Sequence, residues 1–159
     1  MKTIRSSDVS EAIGDASNWF SVIELLVVDV AASLINPRDH RIGEIVCDPL
    51  SLSQTLNLIA CLVDEKRPEL QKEIASATKA LRTASSKRND LLHSAWIYIE
   101  DTGRVAQLRP RKRHLDLTPH SFSSLLNHIE GFIEELRPVY EAWGRILNQL
   151  EIEKHENGA

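Results

Sequence analysis

The sequence predicts an all-α protein: a four-helix up-and-down bundle with one short β-hairpin between the third and fourth helices. Three observations carry this. Glycine and proline are few, six of each among 159 residues, and aromatic residues are sparse. Four long stretches repeat apolar residues at spacings of three and four, the period of an α-helix. Only one stretch, 96–108, alternates as strands do. The length suits a single domain, 1–159, with flexible ends over 1–7 and 152–159, and is enough for a substantial core.

The first helix is expected to begin at Ser7 or Asp8, either of which can cap it, and to stop at Ile35 before Asn36-Pro37. Its middle, Trp19 to Val28, is apolar almost all round, as in a central helix. Glu24 interrupts that face. At about 100° per residue it shares an arc with Phe20, Val28, Ala31 and Ile35, while Asn18, Asp29 and Ser33 mark the solvent side. A carboxylate on such an arc either meets a donor or faces a wet groove. Residues 36–50 read as a loop holding a short apolar segment, Ile42 to Cys47. The second helix is expected from Ser51 or Ser53 to Lys66, with Leu52, Leu56, Ile59, Leu62 and Val63 at helical spacing. Pro68 suits the first turn of the third helix, expected over 69–94. That helix carries the stripe Leu70, Ile74, Ala77, Leu81, Ala84, Leu91 and Ala95. Trp96 to Ile99, a turn at Glu100 to Gly103, and Arg104 to Leu108 read as the hairpin. Thr118-Pro119 resembles a cap with proline at the first helical position. It opens a fourth helix whose stripe, Phe122 to Leu150, passes through Pro138, where a kink is expected.

The formal net charge is -4, so any contact with nucleic acid needs a local basic patch. Residues 104–114 offer one: Arg104, Arg109, Arg111, Lys112 and Arg113 follow the hairpin. They suit phosphate contacts, or a solvated loop that offsets acidic charge elsewhere. Trp96 and Tyr98 lie close by as a base-stacking surface, or Trp96 belongs to the core. Cys47 and Cys61 sit among apolar neighbours and read as buried free thiols of a reducing compartment. Residues 1–8 lack the apolar stretch of a signal peptide, and the run Leu25–Ile35 is shorter than a membrane span and broken by Asp29. The expectation is a cytoplasmic chain with no membrane contact. The six histidines (40, 93, 114, 120, 128 and 155) show no paired ligand spacing, so no metal and no cofactor is expected. Gly-rich phosphate loops and nucleophile elbows are absent from the sequence.

The chemistry concentrates in Arg88-Asn89-Asp90-Leu91-Leu92-His93. Arg88 falls in the middle of the apolar stripe, where an aliphatic residue is expected. Asn89 and His93 share a helix face, and Arg88 stands about 140° from His93. Two copies facing each other across a symmetric dimer bring all three groups together. Such a set suits a scissile RNA phosphate. Histidine moves a proton near neutral pH, arginine forks onto the non-bridging oxygens, and the amide orients. The residues also allow a structural reading, in which Arg88 pairs with Glu24, Asn89 caps the helix and His93 bonds a turn carbonyl.

This arginine-polar-x-x-x-histidine motif, late in the third long helix of a four-helix chain, resembles the HEPN superfamily (higher eukaryotes and prokaryotes nucleotide-binding). The Trp19-to-Glu24 helix, the linker containing Gly43, the leucine-rich second helix and Lys87 to Trp96 extend the similarity over most of residues 10–150. The resemblance implies a homodimeric, metal-independent endoribonuclease of toxin or phage-defence type, with RNA as substrate and a cognate antitoxin or partner protein. It implies Arg88 and His93 as catalytic and Asn89 as supporting; in the mechanism read from these residues, Glu24 is expected to orient Arg88 or His93 from the first helix. It equally covers non-catalytic members, so a protein- or nucleotide-binding module with a structural Arg88 is the alternative.

Overall fold

A computed structural model describes residues 6–92, 95–99, 102, 104–108 and 119–156. The protein is a helical bundle. Helix α1 spans Ser6–Ile35, α2 His40–Cys47, α3 Leu52–Lys66, α4 Gln71–Leu92 and α5 Phe122–Glu156. A 3-10 turn, Pro68–Leu70, joins α3 to α4. Strands β1 (Ala95–Ile99), β2 (Arg104–Leu108) and β3 (Pro119–His120) form an antiparallel sheet in that order.

Helix α1 buries Val9, Ala12, Ala16, Phe20, Ile23, Val27, Val30 and Leu34, a run of three- and four-residue steps along one face. By length and composition alone α1 also meets the requirement for crossing a membrane. Its C-terminal carbonyls are capped by a side chain from α3: Lys66 Nζ donates to the carbonyls of Leu34 at 2.7 Å and Ile35 at 3.1 Å. Asn36 then turns the chain, its Oδ1 accepting from the backbone N–H of Arg38 and of Asp39.

Residues 40–47 correct the expectation of a loop. They form α2, and they dock by their smallest residue. A methyl group added at Gly43 would lie 2.3 Å from Cα of Ala32, so the two backbones touch. Gly43 and Cys47, one turn apart, are the buried residues of α2. Its larger apolar side chains, Ile42, Ile45 and Val46, are exposed. Docking α2 brings a partner to Asp29 and Ser33, which stay partly open to solvent as expected. Asp29 Oδ1 lies 3.3 Å from Nε2 of His40, and Ser33 Oγ lies 3.5 Å from Nδ1 of the same ring.

Ser51 starts α3 with a capping box: its hydroxyl accepts from the N–H of Gln54, whose side chain accepts from the N–H of Ser51. Cys61, two residues from both Ile59 and Val63, points away from their buried face and is exposed, against the expectation of a buried thiol. Cys47 is buried, and burial raises its thiol pKa.

In the hairpin, Trp96 pairs with Gln107 and Tyr98 with Val105. The N–H of Thr102 closes the turn on the carbonyl of Ile99. Helix α5 starts later than the Thr118-Pro119 pair suggests, because Pro119 pairs with Ala106 as part of β3. Ser121 supplies the cap, its hydroxyl accepting from the N–H of Ser124 at 3.1 Å. The helix runs through Pro138 and on to Glu156, past the end expected at residue 151.

The chain divides into two compact units. One comprises Met1–Phe20 and Thr83–Leu136, the other Ser21–Arg82 and Arg137–Ala159. The first buries Phe20, Leu91, Ala106, Leu125 and Ile129. The second is built around Val27, Ile59, Leu81, Trp143 and Ile146, all fully buried.

Candidate functional site

The last turns of α4 belong to the first unit. Leu81, Ala84 and Leu91 are buried on one stripe of the helix, and Arg88, four residues after Ala84 and three before Leu91, continues that stripe. The helical period therefore aims a guanidinium where an aliphatic group belongs. Arg88 is half-buried. Its Cζ stands 5.1 Å from the ring centroid of Phe20 on α1. Its Nε is buried and makes no hydrogen bond. No ion pair among the described residues includes Arg88. The cation thus lies over an aromatic face, a contact that stabilises by about 0.5–2 kcal/mol and supplies no counter-charge.

Asn89, the next residue, is exposed. His93 lies outside the described residues, as do Arg109, Arg111, Lys112 and Arg113 of the basic stretch. Arg104, at the start of β2, is exposed. Trp96 is half-buried, and its indole N–H donates to the carbonyl of Leu91 at 3.2 Å, tying the first strand to the last turn of α4. That carbonyl is one of those left open at a helix end, so the bond fixes where β1 departs. Glu24, in the second unit, is half-buried, and no ion pair among the described residues includes it. Of its arc, Phe20 and Ala31 are fully buried.

Beside the stripe, Lys87, Leu91, Asn127, His128, Gly131, Phe132 and Glu135 line a shallow groove of about 170 Å³ between α4 and α5. The ammonium of Lys87 pairs with the carboxylate of Glu135 across it. Both side chains are at least half exposed, so the pair is worth at most about 1 kcal/mol. The groove is smaller than the roughly 300 Å³ of a typical enclosed ligand site. Sequence reading passes over Glu135, because it and its partner Lys87 stand on separate helices and share no spacing.

Chemically, this region offers a fixed cation with unused hydrogen-bonding capacity and an exposed amide one residue away. Both suit an anion with several acceptor oxygens. The chain matches no protein-family model, no curated protein and no solved structure.

Proposed function

We propose that this chain is a HEPN-type endoribonuclease, cytoplasmic and homodimeric, whose composite site combines Arg88, Asn89 and His93 from two copies. In the proposed reaction a ribose 2′-hydroxyl attacks its own phosphorus. His93 takes the hydroxyl proton and returns a proton to the departing 5′-oxygen. Arg88 forks onto the non-bridging oxygens as their charge grows, and Asn89 positions the phosphate or the imidazole. Arg104 and the basic residues at 109, 111, 112 and 113 hold the flanking phosphates. The biological setting implied by the resemblance is a toxin or phage-defence effector kept in check by a partner protein.

The observation that carries this reading is the state of Arg88. A structural arginine at a core-facing position takes a carboxylate partner, since burying an unpaired charge is expensive. Arg88 has none among the described residues, and its Nε is desolvated without a hydrogen bond. A cation kept in that state is poised for an anion from outside the chain. The decisive experiment is cleavage of diverse RNAs in EDTA by the purified chain, beside Arg88→Ala and His93→Ala variants checked for folding. Cleavage by wild type that both variants lose supports the proposal. Cleavage that survives both substitutions removes these residues from the mechanism.

The contact with Phe20 favours a second reading, a non-catalytic interaction module in which Arg88 packs α1 against α4 within the first unit. That reading requires a sharp loss of thermal stability in Arg88→Ala and no cleavage by wild type. A poised catalytic arginine predicts a small change, or a gain.

A further inference from the structure

We propose that Asp29, His40 and Glu44 form a binding site for a divalent cation of the Zn²⁺ class where α2 crosses α1. The site lies in the second unit and does not depend on the ribonuclease reading.

The helices build it from the crossing outward. Gly43 sits directly on Ala32, backbone to backbone, with both residues buried. Only glycine allows that approach, and it locks the two helices in register. Asp29 stands three residues before Ala32, and His40 stands three residues before Gly43. Ser33 and Glu44 each come one residue after. The contact at the crossing therefore places four polar side chains around one corner. His40 and Glu44 are also four apart on one helix and share its face.

The donor atoms converge. Nε2 of His40 is 3.3 Å from Oδ1 of Asp29 and 3.8 Å from Oε1 of Glu44. All three ligand atoms lie within 4.8 Å of one another. With bonds of about 2.0–2.2 Å in a tetrahedral arrangement, donors around one Zn²⁺ stand about 3.4 Å apart, so side-chain rotations draw the set together when the ion enters. The Nδ1 of His40 faces the Ser33 hydroxyl at 3.5 Å; in the tautomer with the hydrogen on Nδ1, the ring donates there and the Nε2 lone pair is left for a metal.

Nε2 carries at most one hydrogen, which Asp29 can accept at 3.3 Å, while the exposed Glu44 carboxylate stands at 3.8 Å. A divalent cation engages all three groups at once, and two carboxylates with a neutral imidazole balance its charge. Three protein ligands leave at least one coordination position for water, the open arrangement rather than the closed one of purely structural zinc. The mix of nitrogen and oxygen donors favours Zn²⁺ and its first-row neighbours over Ca²⁺, which prefers six to eight oxygens.

The test is calorimetric titration of Zn²⁺ into the full chain, stripped of metal beforehand, with Co²⁺ absorption as a second readout of ligand geometry. Wild type is expected to take up a single ion at this corner. His40→Ala and Glu44→Gln should each weaken binding by more than about a hundredfold, and Ser33→Ala by about tenfold, the usual cost of losing an outer-shell partner. Glu44 is the most exposed of the three ligands, so Glu44→Gln preserves the fold even if His40→Ala loosens α2. The visible Co²⁺ bands should vanish in Glu44→Gln. No uptake of Zn²⁺ by wild type, or uptake with the same affinity in both ligand variants, overturns the site.

Discussion

The end of α4 and the crossing of α1 with α2 each present one nitrogen base, and they surround it in opposite ways. Arg88 lies over the Phe20 ring with a desolvated Nε and no carboxylate partner among the described residues. His40 meets two carboxylates and a hydroxyl. Among the described residues, one region has a cation without a carboxylate, the other an imidazole with two. The two proposals place opposite charges at these regions: an anion at Arg88, a cation at His40.

The sharpest way to break this comparison is to remove the charge at the first region while keeping its bulk. Arg88→Met retains packing against Phe20, so RNA cleavage should fall by about 10²–10³ with little change in melting temperature, as when a donor to a developing oxyanion is lost. A melting temperature that falls together with activity would make Arg88 a packing residue. At the second region the largest effect belongs to Gly43→Ala. The new methyl meets backbone atoms of Ala32, which cannot rotate away. Thermal denaturation should show a loss of about 1–3 kcal/mol, the usual cost of overpacking, and Zn²⁺ binding should disappear with it. Unchanged stability would mean that α2 does not rest on α1 as described.

Smaller changes sharpen the contrast. Lys66→Met removes two hydrogen bonds to the end of α1 without touching the ligand set. It should cost about 1 kcal/mol in chemical denaturation and leave Zn²⁺ affinity unaltered. Cys47 reports whether α2 is docked. Buried, with its thiol pKa raised, it should alkylate far more slowly than exposed Cys61 at neutral pH, and faster in Gly43→Ala. Equal rates in the native protein would contradict the burial of α2. Lys87→Ala should matter least, below about 1 kcal/mol, because the pair with Glu135 is open to solvent.

The two regions also differ in how much of them the sequence discloses. The four longer helices are legible because their buried residues recur every three or four positions. Arg88 stands out for the same reason, as a charge on an apolar stripe. Its contact with Phe20 is not legible, since stacking between distant helices leaves no spacing to read. Helix α2 defeats the pattern altogether. Its eight residues make about two turns, and its docked residues are Gly43 and Cys47 while Ile42, Ile45 and Val46 face outward. A rule that looks for large apolar residues on the buried face finds the wrong face. Once α2 is missed, the four-residue step from His40 to Glu44 has no meaning, and Asp29 reads as a solvated charge. The start of α5 misleads for a related reason: Thr118-Pro119 has the chemistry of a cap, but Pro119 pairs with β2 and Ser121 caps instead.

The proposed role of Arg88 is to meet a phosphate. Its most direct test is single-turnover cleavage of a fluorescent RNA in EDTA, comparing wild type with Arg88→Met at matched thermal stability. Wild type should cleave, and the variant should lose at least about a hundredfold in rate. Equal rates in the two, or no cleavage by the folded wild-type protein across diverse RNAs, would contradict it.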